Sequence, residues 1–145
     1  MPENAKLRII PLGGVDEVGK NITAIECEND ILVVDCGSIF PKDDMLGIDL
    51  VIPDVSYLIA NKHKIRGYVF THGHEDHIGA TPYVLDRVPA PIYGSRLTMA
   101  LLENKLREHN VRGIQFNVVE PRQIVHIGCF TVQFIKVNHS ISGAY

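Results

Sequence analysis

The apolar run Tyr68-Val69-Phe70 leads, one residue later, into His72-Gly73-His74-Glu75-Asp76-His77. Whatever the chain folds into must end a buried strand in three imidazoles and a carboxylate packed into less than two helical turns. His72 and His74 are two apart, so an extended segment points both to one side, and Gly73 lets the backbone turn tightly between them. Asp76 and His77 follow where a helix is expected to begin and can face a second ion beside the first. Neutral imidazole and carboxylate are ligands that zinc takes when it does chemistry. Two ions about 3.5–4 Å apart can share a water and hold both oxygens of a displacement. The cluster therefore points to a binuclear metal hydrolase, with Asp76 and His77 as its catalytic pair. The plainer alternative is a polar loop that happens to carry histidines.

Two other metal patterns do not fit. His74-Glu75-Asp76-His77 spaces its histidines three apart, whereas the zincin pattern needs four. Structural zinc sites are usually thiolate-rich, and the three cysteines, Cys27, Cys36 and Cys129, form no C-x-x-C pair. Glu75 reads as a solvated side chain.

The periodicities predict strands at Leu7–Leu12, Ile22–Glu26 and Ile31–Val34, the last two forming a hairpin. A long loop covers Phe40–Pro53, and a short helix at Asp54–Asn61 turns Val55, Leu58 and Ile59 to one face. Gly67–Thr71 is a buried strand. Ile78–Arg87 is a helix with Pro82 in its first turn. A short strand at Ile92-Tyr93 precedes a helix capped by Ser95 and running to His109, with Leu97, Leu101, Leu102 and Leu106 inward and Glu103 and Arg107 paired. Strands follow at Phe116–Val119, Ile124–His126 and Cys129–Val137. No repeat or linker interrupts them. The class is α/β, a mixed sheet with helices on one face.

His139, just past the last of these strands, is the best candidate for a third ligand beside His72 and His74; otherwise it is a sheet-edge histidine without a partner. Asp35 either accepts a hydrogen bond from a ligand imidazole or makes an Asx turn before Gly37. His63 and His126 read as solvated, and the helix dipole explains His109. The loop from Gly13-Gly14 to Gly19-Lys20 matches no nucleotide-binding pattern and reads as a flexible turn, with phosphate binding the alternative.

A length of 145 residues allows one domain with a real core, and a net charge of -3 gives no global attraction for nucleic acid. The cysteines read as free thiols in a reducing compartment, no apolar stretch could span a membrane, and the polar N-terminus is no signal sequence. A cytoplasmic location is expected.

These residues resemble the metallo-β-lactamase superfamily, whose second motif is H-x-H-x-D-H, and within its β-CASP branch the ribonuclease J family. The narrower likeness rests on residues 12–21 (LGGVDEVGKN), 40–49 (FPKDDMLGID) and 71–79 (THGHEDHIG). The likeness extends from about Lys6 to Ile141. It implies the N-terminal half of an αββα sandwich. It also implies two zinc ions, with manganese a possible substitute, and 5′-to-3′ exonuclease and endonuclease action on RNA. One ion would take His72, His74 and His139, the other Asp76 and His77. Asp35 falls on the first motif and His139 on the third. RNA would be the partner, with assembly into homo-oligomers and no membrane. Family members run to several hundred residues, so residues 1–145 read as the N-terminal portion of a metallo-β-lactamase domain. The bridging aspartate, a final histidine ligand and the β-CASP domain would all lie beyond it. Ser142-Gly143-Ala144-Tyr145 departs from the Pro-Asp expected after His-Ser-Ile. An exposed apolar sheet face is a further expectation. Two rivals remain: a metallo-hydrolase of a small thioester or lactam, and a non-catalytic metal-binding or subunit-interaction fragment.

Overall fold

The computed structural model describes residues 6–42 and 45–145. Residues 1–5, and Asp43 and Asp44 of the stretch 40–49, lie outside the described residues. Strands β1 (Leu7–Gly13), β2 (Ile22–Cys27) and β3 (Asp30–Val34) are antiparallel neighbours. The chain then passes through α1 (Ser56–Ala60), β4 (Ile65–Val69), α2 (Glu75–Ile78), α3 (Thr81–Arg87), β5 (Ile92–Gly94), α4 (Arg96–Glu108) and β6 (Phe116–Val118). β3, β4, β5 and β6 pair in parallel, which gives one mixed sheet in the order β1-β2-β3-β4-β5-β6. A separate antiparallel ribbon joins β7 (Ile124–Ile127) to β8 (Phe130–Gln133).

The alternation of side chains sorts the core. Ile22, Ala24, Val33, Tyr68 and Ile92 pack on one face against Leu58, Ile78, Val84, Leu85, Met99, Leu102 and Leu106 of the four helices. Fully burying a side chain such as Leu102 stabilises by roughly 1.5–3 kcal/mol. On the opposite face, Cys27, Leu32 and Val69 meet Ile127 and Phe130 of the ribbon. β4 is thus covered on both sides, which is why it reads as an unbroken apolar run. The expected exposure of an apolar sheet face is therefore met only in part. The ribbon covers much of that face, which stays open at the outer strand, where Leu7 and Ile9 are exposed.

Several local expectations change. The helix expected at 78–87 is divided, because α2 closes after one turn and Gly79-Ala80 separate it from α3, where Pro82 does sit in the first turn. Ile59 and Leu97 are exposed, and Met99 takes the inward position on α4. Ser95 caps α4 by accepting from Thr98 N–H at 3.4 Å. Arg107 donates to Asn104 rather than pairing with Glu103. The strand expected at 129–137 is β8 alone; beyond it Phe134 and Tyr145 meet edge to face, and Tyr145 N–H donates to the Thr71 carbonyl at 2.9 Å. Cys27 and Cys36 are buried and Cys129 is exposed, all three as free thiols. His63 and His126 are exposed, as expected. Among the described residues no helix is long and apolar enough to cross a membrane.

Glu26 is buried at 3 % exposure on β2. It accepts from the Tyr57 hydroxyl, from Lys64 Nζ at 2.9 Å and from Arg8. The Tyr57 bond is the largest influence on its carboxyl; burial opposes it, but Lys64 and Arg8 reinforce it and hold the pKa at about 2, below the ordinary 4.5. A folded-state pKa below the unfolded one gives stability that is present above pH 4.5 and is lost as pH falls toward about 2. Urea unfolding at pH 5 and pH 3 is expected to show a drop in midpoint that shrinks in Glu26→Gln. An equal drop in both proteins would rule Glu26 out as its source.

Candidate metal centre

The site lies where β3 and β4 end. Parallel pairing sets Val34 beside Val69, so Asp35 and the loop at 71–74 leave the sheet at the same edge. Asp35 adopts a left-handed backbone with φ 60, which aspartate tolerates better than most residues and which turns its side chain back. Its carboxylate accepts from Thr71 N–H, Thr71 Oγ1 and His77 Nδ1, each at 2.8 Å. Of the two roles open to Asp35, the geometry shows the hydrogen bond to an imidazole.

These bonds fix which nitrogens are free. The Thr71 hydroxyl has one proton and gives it to Asp35, so it accepts from His72 Nδ1 at 3.0 Å and leaves His72 Nε2 bare. His77 donates through Nδ1, and its Nε2 lies 3.4 Å from Asp76 Oδ2. His72 is buried, and burial first, then the His77 and His139 imidazoles, lower its pKa to about 4. It is therefore neutral, with its lone pair available, at ordinary pH. Burial also disfavours charge on His77, but the Asp35 hydrogen bond and charge outweigh it and raise the pKa.

His72, His74 and His139 come together, their ligand nitrogens all within 4.8 Å of one another. His139 Nε2 faces His72 Nε2 at 3.1 Å, and the three rings stand edge to face. Three convergent imidazoles, one of them buried and neutral, suit a borderline transition-metal ion better than calcium or magnesium. Asp76 and His77 stand beside this set, with the His77 ring 4.0 Å from that of His72. Glu75 is exposed but paired with Lys105 at 2.9 Å.

α2 is a single turn, and beyond the Gly79 N–H that the Glu75 carbonyl accepts, its carbonyls take partners from outside the helix. Those of Glu75, Asp76 and His77 accept from the backbone N–H groups of Ser38, Asn21 and Cys36 at 3.1, 3.0 and 2.7 Å. The segments at 21 and 36–38 thus clamp the turn that carries Asp76 and His77. Asn21 and Thr71 are the site residues that the sequence did not assign. The loop before Asn21, expected to be a flexible turn, is a tight one. Gly14, Asp16, Gly19 and Lys20 all have positive φ, and Glu17 bridges Gly14 N–H and Lys20 Nζ.

Residues 15–137 match the family model described as the Metallo-beta-lactamase superfamily. Over 96% of its length the chain is 44% identical to Ribonuclease J 2 of Staphylococcus saprophyticus and 43% identical to Ribonuclease J 2 of Staphylococcus aureus. It spans 25% of the length of each of these relatives. Among solved structures, a protein of unknown function from Enterococcus faecalis superposes with a TM-score of 0.71 at 17% identity, over 97% of this chain and 40% of that one. Zinc-bound PqqB from Methylobacterium extorquens superposes at 0.62 and 11% identity, over 89% and 55%. These structural likenesses bear on the fold.

Proposed function

The chain belongs to the metallo-beta-lactamase superfamily, and from that premise we propose that it carries the metal-binding face of a zinc-dependent ribonuclease of the ribonuclease J kind. The observation that carries this reading is the convergence of His72, His74 and His139 beside the Asp76–His77–Asp35 chain, in a sequence 43–44% identical to two ribonucleases J 2. In it, His72, His74 and His139 hold one ion, and Asp76 and His77 hold the other. Residues 1–145 form the N-terminal portion of a metallo-β-lactamase domain. RNA is the substrate, cut by 5′-to-3′ exonuclease and endonuclease action, and the protein works as a homo-oligomer. The free cysteines suit a cytoplasmic setting.

Bound divalent ions supply Lewis-acid chemistry here, activating water and neutralising charge on phosphate oxygens. The chain's own contribution is orientation. Asp35 holds His77 by Nδ1 and, through the Thr71 hydroxyl, holds His72 by Nδ1, so both imidazoles present Nε2. Partners of this kind, one bond away from the ligands, set tautomer and ring direction.

A longer protein containing this chain, supplied with zinc or manganese, is expected to hydrolyse 5′-monophosphorylated RNA, and residues 1–145 alone to do so weakly at best. A chelator should stop the reaction, and either ion should restore it. Faster turnover of a small thioester than of RNA, by this chain or by a longer protein containing it, would overturn the nuclease assignment.

A further inference from the structure

Asn21 is 55 residues from Asp76 in sequence, yet its side chain touches both groups proposed for the second ion. Nδ2 lies 3.0 Å from the Asp76 carbonyl oxygen, 3.2 Å from Asp76 Oδ2 and 3.3 Å from His77 Nε2. The two Asp76 oxygens are acceptors, and the third contact is to the ring nitrogen of His77 that does not bond Asp35. Only the amide nitrogen can satisfy the two oxygens, since Oδ1 in its place would set oxygen against oxygen. The backbone agrees: Asn21 N–H also donates to the Asp76 carbonyl, and Gly37 N–H donates to the Asn21 carbonyl at 2.9 Å. A Cβ on Gly14 would stand 2.6 Å from Asn21 Oδ1, so the glycine loop packs closely against the carboxamide.

The geometry points to Asn21 as a positioning residue: its carboxamide donates to the Asp76 carbonyl and carboxylate and so fixes that carboxylate beside His77, where the second ion meets it already in place. This rests on the two-ion reading of the site. Among the described residues the Asn21 side chain makes no hydrogen bond to His72, His74 or His139, and its effect should be confined to one of two metal equivalents. A merely structural role would not divide the equivalents in this way.

The test is zinc uptake by the purified chain, measured in competition with a chromophoric chelator. The wild type should take two equivalents and His77→Ala one. Asn21→Ala should weaken one equivalent by about 10–100-fold, the scale for losing a partner that orients a ligand, and leave the other unchanged. If His77→Ala still binds two equivalents as the wild type does, the two-ion reading falls and takes this inference with it. If His77→Ala loses one equivalent while Asn21→Ala keeps both at wild-type affinity, the reading stands and the inference alone is overturned. A wild type that binds only one equivalent also overturns the inference. Should Asn21→Ala fail to fold, the wild-type side-chain amide of Asn21 decides by NMR. Its signals should move with the second zinc equivalent and not the first; any other pattern sinks the assignment.

Discussion

His77→Ala is expected to lower metal-dependent RNA hydrolysis by about a hundredfold or more, the scale seen when one group that supports transition-state charge is removed. The substitution removes a ligand nitrogen from the second ion and deprives Asp76 Oδ2 of its neighbour at 3.4 Å. It should not unfold the protein. Asp35 keeps its two bonds from Thr71, each at 2.8 Å, and the His77 backbone carbonyl still accepts from Cys36 N–H. The stability cost is then about that of one hydrogen bond to a charged group, roughly 1.5–3 kcal/mol. Steady-state hydrolysis and a thermal midpoint, measured on the same preparation, separate the two effects. Activity within a few-fold of wild type would remove His77 from the site.

Gly37→Ala is expected to act in the opposite order, on the fold first. A Cβ at Gly37 would overlap the carbonyl oxygen and carbon of Asp76 and stand 2.8 Å from Asn21 N. All three are backbone atoms, so no side chain can swing away to make room. The three strands of backbone that meet here would have to separate, breaking the bonds from Asn21 N–H to Asp76 and from Gly37 N–H to Asn21. Overpacking of this kind costs about 3 kcal/mol or somewhat more. Equilibrium urea unfolding reads that loss directly. Zinc affinity at the Asp76 and His77 pair should fall with it, because the same seam sets their position. An unchanged urea midpoint would show that the close approach is not a constraint.

The ligands were legible because they are neighbours in the chain: His72, His74, Asp76 and His77 fall within six residues behind an apolar strand, and their spacing alone constrains where they point. His139 needed the fold, since the chain leaves β8 at Gln133 and reaches the site without regular structure. Asp35 was legible as a candidate and not as a choice between two roles, because the deciding bond runs to a residue 42 positions away. Asn21 was not legible at all. Its role depends on left-handed turns at Gly19 and Lys20 that place it under α2, and nothing in local periodicity reports such a contact. The same holds for Ile59 and Leu97. Each fits a helical stripe, but the helix is rotated so that the stripe's margin meets solvent.

The outer strand β1 has a consequence of its own. Among the described residues one of its long sides has no partner within the sheet, and Leu7 and Ile9 stand 56% and 67% exposed on its face. Such a margin invites a neighbouring molecule to dock strand against strand. Its far half discourages this, because Pro11 lacks an amide hydrogen and the pairing with β2 slips between Pro11 and Gly13. From Leu7 onward an intruding strand would find regular hydrogen-bonding groups only as far as Ile10, which shortens the stretch along which it could pair.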